Sequence, residues 1–323
     1  MSENTSSESL ESVCSPKRNF DVAGLSYNRR MPSARDTSNA QTLGVFFLGS
    51  GSSGNSTAVS DGTTTVLIDC GFSAREIARR LRVHGLEASS VSGILVTHEH
   101  GDHVRGIEVF ARKYGCSVWA TRGTCEAGHL NWIAEDFQIL SPGSSTKIGS
   151  LEVLPFRSSH DAKEPVGFVV SDRNGNRFGL ATDMGSFTQE AAEALAGCDL
   201  IGLECNHDLK MLETGPYPWF LKQRIASARG HLSNADAARA LESVATDRLR
   251  EVHALHLSRT NNTRELACQA VQQQLALMGL AVSVRSVSQD CVPSAHTGEA
   301  TDAAGTVHDG EDADQLSFAP STP

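Results

Sequence analysis

The chain has 323 residues, 39% of them apolar and 20% charged, with a formal net charge of −10. That composition suits a packed globular body and excludes collagen-like, low-complexity and membrane-spanning classes, since no apolar run is long enough to span a bilayer. Its eight cysteines stand singly with no Cys-x-x-Cys pair, which excludes a small disulfide-built scaffold. With no apolar signal segment near the start, they imply a reducing cytoplasmic setting and no membrane partner.

Residues 1–40 and 293–323 lack hydrophobic periodicity and read as disordered tails, the second of them acidic. The working domain is 41–292. In chain order it predicts strands at Leu43–Leu48 and Thr65–Asp69, joined by the Gly/Ser-rich run 49–56. A helix follows, opened by a capping box of Ser73 and Glu76 and closed by Gly85. Next come a buried strand Ile94–Thr97, a helix Ile107–Tyr114 ended by Gly115, and strands Ser117–Ala120 and Leu151–Phe156. A hairpin with arms Gly167–Ser171 and Arg177–Ala181 turns at Asn174–Gly175. The remainder alternates: helix Gln189–Ala196, strand Leu200–Glu204, helix Trp219–Ala228, helix Asn234–Val244, strand Val252–Leu257, helix Arg264–Met278 and strand Ala281–Val287. Two hairpin-rich halves, each followed by strand–helix units, predict stacked sheets covered by helices.

The informative segment is Ile94-Leu-Val-Thr-His-Glu-His-Gly-Asp-His103, where an apolar strand delivers four potential metal ligands into a Gly-containing loop. Imidazole and carboxylate suit a borderline divalent cation. In the spacing His-x-His-x-Asp-His the alternate histidines His98 and His100 can face one metal while Asp102 and His103 turn to a second. Asp69, His160, Asp183 and His256 each follow an apolar strand, so all would lie along one rim of the sheets, where ligands converge rigidly.

These motifs resemble those of the metallo-β-lactamase superfamily. The resemblance implies an α/β fold, a four-layer αββα sandwich. It implies that His98, His100 and His160 bind one metal, that Asp102, His103 and His256 bind the other, and that Asp183 bridges them, with Asp69 orienting the loop from behind. Gly49-Ser-Gly-Ser-Ser-Gly-Asn-Ser56, Leu203-Glu-Cys-Asn-His-Asp208, Gly230-His-Leu-Ser-Asn234 and His256-Leu-Ser-Arg-Thr-Asn-Asn262 further resemble the YycJ/WalJ-like branch. Members of that branch are 5′-to-3′ exonucleases on DNA, so the resemblance implies a nucleic acid, DNA, as the substrate. Cys205 departs from the small residue, such as Ser, expected after Glu204. The space between Asp183 and His256 cannot hold a β-CASP insertion, so the core itself, or a second subunit of a homodimer, must grip the substrate.

Two divalent cations, Zn²⁺, Mn²⁺ or Fe²⁺, lower the pKa of a water between them and hold the attacking and leaving oxygens of a phosphodiester, so no nucleophilic side chain is needed. By resemblance His231 is the proton donor to the leaving oxygen and Glu204 orients it, while His207 is an alternative donor. The loop 49–56, with Ser53 and Asn55, either cradles a phosphate or forms a tight packing turn. Asn261 and Asn262 are further candidate phosphate contacts, with Lys222 and Arg224 as nearby cations. Trp219 is expected to be the buried face of its helix rather than, with Met211 and Leu212, a lip against a base. The acidic balance counts against a broad basic face, but 293–323 holds six acidic and no basic residues, leaving −4 for 41–292, which two bound cations would offset. Another hydrolase of the same fold, acting on RNA ends, a cyclic phosphodiester or a thioester, is the first alternative; a non-catalytic metal-binding regulatory protein is the second.

Overall fold

The computed structural model describes residues 43–127 and 137–290. Both predicted tails lie outside the described residues. Among the described residues thirteen strands form two sheets. The first takes β1 (Gly44–Gly49), β2 (Ser56–Ser60), β3 (Thr65–Ile68), β4 (Val91–Leu95), β5 (Ser117–Thr121) and β6 (Phe137–Leu140) in that spatial order. The second runs β13 (Ser283–Ser286), β12 (Glu251–Leu255), β11 (Leu200–Glu204), β10 (Arg177–Ala181), β9 (Val166–Ser171), β8 (Leu151–Arg157), β7 (Thr146–Ile148). In each sheet antiparallel hairpins at one side give way to parallel strands at the other. The parallel connections carry helices: α1 (Ala74–Val83), α2 (Gly101–Val104), α3 (Ile107–Tyr114) and α4 (Arg122–Glu126) in the first half. In the second come α5 (Gln189–Leu195), α6 (Leu209–Thr214), α7 (Trp219–Ile225), α8 (Asn234–Val244) and α9 (Arg264–Leu277).

Side-chain alternation along the strands sorts the core into three layers. On β1, Val45 and Phe47 point inward and pack with Val153, Phe168, Val170 and Phe178 of the other sheet. Phe46 and Leu48 point outward onto Ile77 and Leu81 of α1 and Ile107 and Phe110 of α3. On the far side Val169, Ile201 and Leu203 meet Leu195 of α5, Leu241 of α8 and Val271 of α9. Helix, sheet, sheet, helix is the predicted four-layer αββα sandwich. Between Asp183 and His256 the chain is occupied by α5, β11, α6–α8 and β12, with no inserted domain.

Several boundaries follow capping chemistry. Ser73 caps α1 by accepting the Glu76 amide at 3.3 Å, but the Glu76 carboxylate binds Arg79 and Arg80 instead of returning to Ser73, so only half of the expected capping box forms. Gly115 ends α3 at φ 69°, the left-handed turn that glycine enters without steric cost. Strand β2 was not anticipated, because Ser56–Ser60 reads as the end of the Gly/Ser run; its pairing with β1 and β3 buries all five residues. Helix α7 stops at Ile225, three residues short of the expected Ala228, and buries none of its side chains. Trp219 is 71% exposed, which corrects the expectation that it is a core face. No described helix is long and apolar enough to cross a membrane.

Candidate metal centre

Five strand ends and the loop after β4 converge on one rim. Asp69 follows β3, His98–His103 follow β4, His160 follows β8, Asp183 follows β10, Glu204 ends β11, and His256 follows β12. Asp69, Asp183 and His256 are the non-glycine residues with left-handed backbone among the described ones, at φ 61°, 56° and 54°. Such conformers cost about 1–3 kcal/mol and persist only where neighbours fix them. Here they are fixed. The Asp69 carbonyl accepts from Ser56 Oγ at 2.8 Å and its amide donates to Leu95 O at 2.8 Å. The Asp183 carbonyl accepts from Ser158 Oγ at 2.7 Å. The His256 amide donates to Ser50 Oγ at 2.9 Å, and its carbonyl accepts from Asn206 Nδ2 at 3.0 Å.

The ligand-type atoms fall into overlapping groups, each with all its atoms within 4.8 Å of one another: His98, His100 and His160; His98, His103 and Asp183; Asp102, His103 and His256; and Asp183, Glu204, His231 and His256. Every metal ligand named from the sequence is therefore brought to one place. Asp183 touches both sides, with Oδ2 3.1 Å from His103 Nε2 and Oδ1 3.7 Å from His160 Nε2 and 3.6 Å from His256 Nδ1.

One ring nitrogen of most of these histidines is engaged away from the centre, which leaves the other as a lone pair facing it. His103 Nδ1 meets Asp69 Oδ2 at 2.7 Å, His160 Nδ1 meets the Gly230 carbonyl at 3.0 Å, His256 Nδ1 meets Glu204 Oε1 at 3.0 Å, and His98 Nδ1 meets Thr97 Oγ1 at 3.0 Å. His100 turns the other way, its Nδ1 standing 3.3 Å from His160 Nε2. Buried His98 Nε2 and His256 Nε2 have no hydrogen-bond partner, and Asp183 Oδ2 faces only the His103 ring nitrogen at 3.1 Å. A buried polar atom left so costs about 1–3 kcal/mol, and cations between these atoms would satisfy all three, so the residues fit the divalent metals that the fold implies. Electrostatics agree. Burial opposes charge on His103, but the carboxylates of Asp183, Asp69 and Asp102 outweigh it and hold its pKa well above the imidazole range. Burial likewise opposes charge on His256, which Asp183, Asp102 and Glu204 raise to about 10. The acidic groups thus demand positive charge here, which metal can supply in place of protons.

Glu204, fully buried, is the hub behind the centre. Its Oε1 takes His231 Nδ1 at 2.8 Å and His256 Nδ1; its Oε2 takes the amides of Met184 at 2.8 Å and Leu232 at 3.1 Å. Burial works against its charge, but His231 and His256 hold its carboxyl below the usual range. Cys205 beside it is fully buried in the outer core, where a small thiol packs as Ser would without a polar partner to satisfy. His231 lies at the wall of an open cleft of about 230 Å³ with Ser52, His100, Asp102, Asp161, Arg224 and Arg229.

The substrate contacts expected from sequence fare differently. Asn55 is buried, its Oδ1 accepting from Ser50 Oγ at 3.0 Å and Gly51 N at 2.9 Å. Its Nδ2 lies 3.3 Å from Asp102 Oδ2 and 3.1 Å from His103 Nε2. Loop 49–56 forms a bracket behind the second ligand group: Ser50 holds His256, Asn55 holds Asp102, and a β-carbon on Gly71 would overlap the Asp102 carbonyl. Ser53 is exposed but its amide is tied to Gln289 Oε1 at 2.7 Å; its neighbour Ser52 lines the cleft. Asn262 knits Cys205 O to Asn234, which spends its amide inside the protein. Asn261 is fully buried, and His207 is 1% exposed; burial keeps both from direct contact with a macromolecular substrate. Lys222 binds the Glu213 carbonyl at 2.7 Å and Arg224 pairs with Asp161 at 3.2 Å. Sequence reasoning missed Thr97, which links Asp69, His98 and His103, and Arg229, whose guanidinium grips the His160 carbonyl at 3.1 Å. Thr97 could have been found from its place between the strand and the first ligand; Arg229 had no local signal.

The beta-lactamase superfamily domain model matches residues 64–254. The chain is 38% identical to an exodeoxyribonuclease YycJ of Bacillus anthracis, over 79% of this chain and 98% of that one. It is 35% identical to an exodeoxyribonuclease WalJ of Streptococcus pneumoniae, over 77% and 94%. Among solved structures it is similar to the metallo-beta-lactamase fold protein YhfI of Bacillus subtilis, with a TM-score of 0.57 at 14% identity, over 76% of this chain and 97% of that one. With the matched domain, the near-complete coverage of those relatives and the αββα architecture in agreement, the chain belongs to the beta-lactamase superfamily, in its YycJ/WalJ-like branch.

Proposed function

We propose that the protein is a metal-dependent phosphodiesterase, an exonuclease that shortens DNA from the 5′ end. The observation that supports this most is the complete ligand constellation in a chain that spans nearly the whole length of relatives named exodeoxyribonucleases. Two cations are the stoichiometry that best matches two ligand groups sharing Asp183: His98, His100 and His160 for one, and Asp102, His103 and His256 for the other. Zn²⁺ and Mn²⁺ are the first candidates and Fe²⁺ the third. When bound they supply Lewis acidity toward a phosphoryl oxygen and activate water at neutral pH.

The chain's own groups do the rest. Asp69, Thr97, the Gly230 carbonyl and Glu204 fix the histidine tautomers before substrate arrives, so that no reorganisation is spent during the reaction. Glu204 accepts the Nδ1 proton of His231, which aims the opposite nitrogen, Nε2, into the cleft. His231 in its protonated form then donates from Nε2 to the leaving oxygen, with Glu204 stabilising the cation. Arg224 and Arg229 at the cleft wall favour an anionic substrate. The core grips DNA itself or with a second subunit, and the six free cysteines among the described residues suit a cytoplasmic setting.

Purified protein given Mn²⁺ or Zn²⁺ and duplex DNA labelled at either end tests this reading. Early release of the 5′ label with lagging loss of the 3′ label is expected. Inertness toward DNA with every metal, alongside turnover of a cyclic phosphodiester, an RNA end or a thioester, would replace it with another hydrolase of the same fold.

A further inference from the structure

Helix α7 is unusual in burying no side chain. It is nevertheless part of the metal centre's surroundings, because Leu221, Arg224 and Ile225 line the cleft beside His160 and His231. Its first two residues, Trp219 and Phe220, are 71% and 73% exposed. Side chains three or four apart share a helix face, so Phe220 lies one turn from Arg224 and Trp219 one turn from Lys222. The two aromatic side chains are not themselves part of the cleft lining; they precede its Leu221 on the same helix, roughly 6–7.5 Å along the axis from Arg224, or about two nucleotides at B-form rise.

We infer that Trp219 and Phe220 are a stacking platform for the bases of a single DNA strand whose terminal phosphodiester occupies the metal cleft. This rests on the proposed nuclease function. Aromatic side chains beside cations are the elements by which single-stranded nucleic acid is recognised, and stacking accepts any base. Continuity with the cleft fixes the occupant as substrate. The platform also offers binding energy that does not depend on net charge, which suits a chain of formal charge −10.

The test compares wild type with the double variant Trp219→Ala/Phe220→Ala on a single-stranded thymidine decamer and on the same decamer with abasic nucleotides at positions two and three. In the wild type, removing those bases is expected to raise KM about tenfold or more. The variant should show the same rise on the intact decamer with kcat retained, and no further rise on the abasic one. Its metal content and unfolding midpoint should match wild type, since neither side chain is buried. An unchanged KM, or additive losses from the variant and the abasic strand, overturns the platform. So does a variant that converts a dimer to a monomer by light scattering, which would make this face a contact between copies. Wild-type protein that hydrolyses methyl p-nitrophenyl phosphate yet degrades neither decamer with any metal marks a different failure, that of the nuclease reading itself.

Discussion

The two halves of the sandwich supply the metal centre in opposite ways. The first sheet delivers four ligands from one six-residue loop, His98–His103, held from behind by Asp69, Thr97 and the Ser50–Asn55 bracket. The second sheet delivers His160, Asp183 and His256 singly, from three strand ends up to 96 residues apart, and locks them through carbonyls, Glu204 and left-handed backbone. One half is a local motif; the other exists only after the strands have aligned. The difference teaches that the loop is a self-contained cluster of donors, whereas the second half brings its donors together only through long-range contacts, with Glu204 and His231 joined to them.

The strongest challenge to that division is His98→Ala with Asp102→Ala. Removing one ligand from each group in the loop should abolish tightly bound metal and lower activity by about 10³-fold or more, while cooperative unfolding persists; elemental analysis and thermal melts read both. Retained metal would mean that the second half alone suffices. Next, His231→Ala should leave metal content intact and lower kcat on DNA by roughly 10²–10³-fold. A p-nitrophenyl ester, whose leaving group needs no proton, should lose far less; equal losses on both substrates would remove His231 as donor.

A smaller effect separates the bracket from the ligands it holds. Ser50→Ala and Asn55→Ala should weaken one metal equivalent about 10–100-fold and spare the other, read by titration against a chromogenic chelator. Uniform weakening of both would show that the loop supports the whole rim. The smallest effect concerns α1, which fastens that bracket through the buried Arg80, bonded to Leu48 O, Gln289 O and Glu76. The Arg79 hydrogen bond first, and Arg80 against the opposing effect of burial, depress the Glu76 carboxyl to about 2. A carboxyl depressed on folding adds stability above its unfolded pKa of roughly 4.3 and loses it as pH falls toward 2. Glu76→Gln should therefore lower the unfolding midpoint modestly at pH 7, and the gap should close by about pH 2; a constant gap would show that the charge is irrelevant.

Much of this was legible in the sequence because periodicity and capping are local. Strands such as Leu200–Glu204 and helices such as Asn234–Val244 have the boundaries that their apolar spacing predicts. The seven candidate ligand positions could be named as well, four from the density of donors in the loop and three through the family resemblance, and the fold brings their donor atoms together. What was not legible depends on tertiary partners. Asn55 looked like a phosphate contact because a Gly/Ser run permits close approach to an anion; only the fold shows the approach made to Asp102 and His103 instead. Trp219 looked buried because aromatic residues at helical spacing usually pack, but α7 leans on a cleft and has no core beneath it. Strand β2 was hidden because Ser56–Ser60 continues the Gly/Ser run, and β6 and α6, of four and six residues, are too short for a period to emerge.

The backbone amide of His256 is held by the Ser50 hydroxyl, some two hundred positions earlier in the chain. During synthesis the loop His98–His103 therefore emerges long before the residue that completes its second ligand group, and the bracket waits for both His256 and Gln289. A growing polypeptide cannot build the full two-group centre prematurely. The group His98, His100 and His160 has all its donors by residue 160, whereas Asp102 and His103 wait for His256 after β12, so the two groups are completed at separate stages of chain growth.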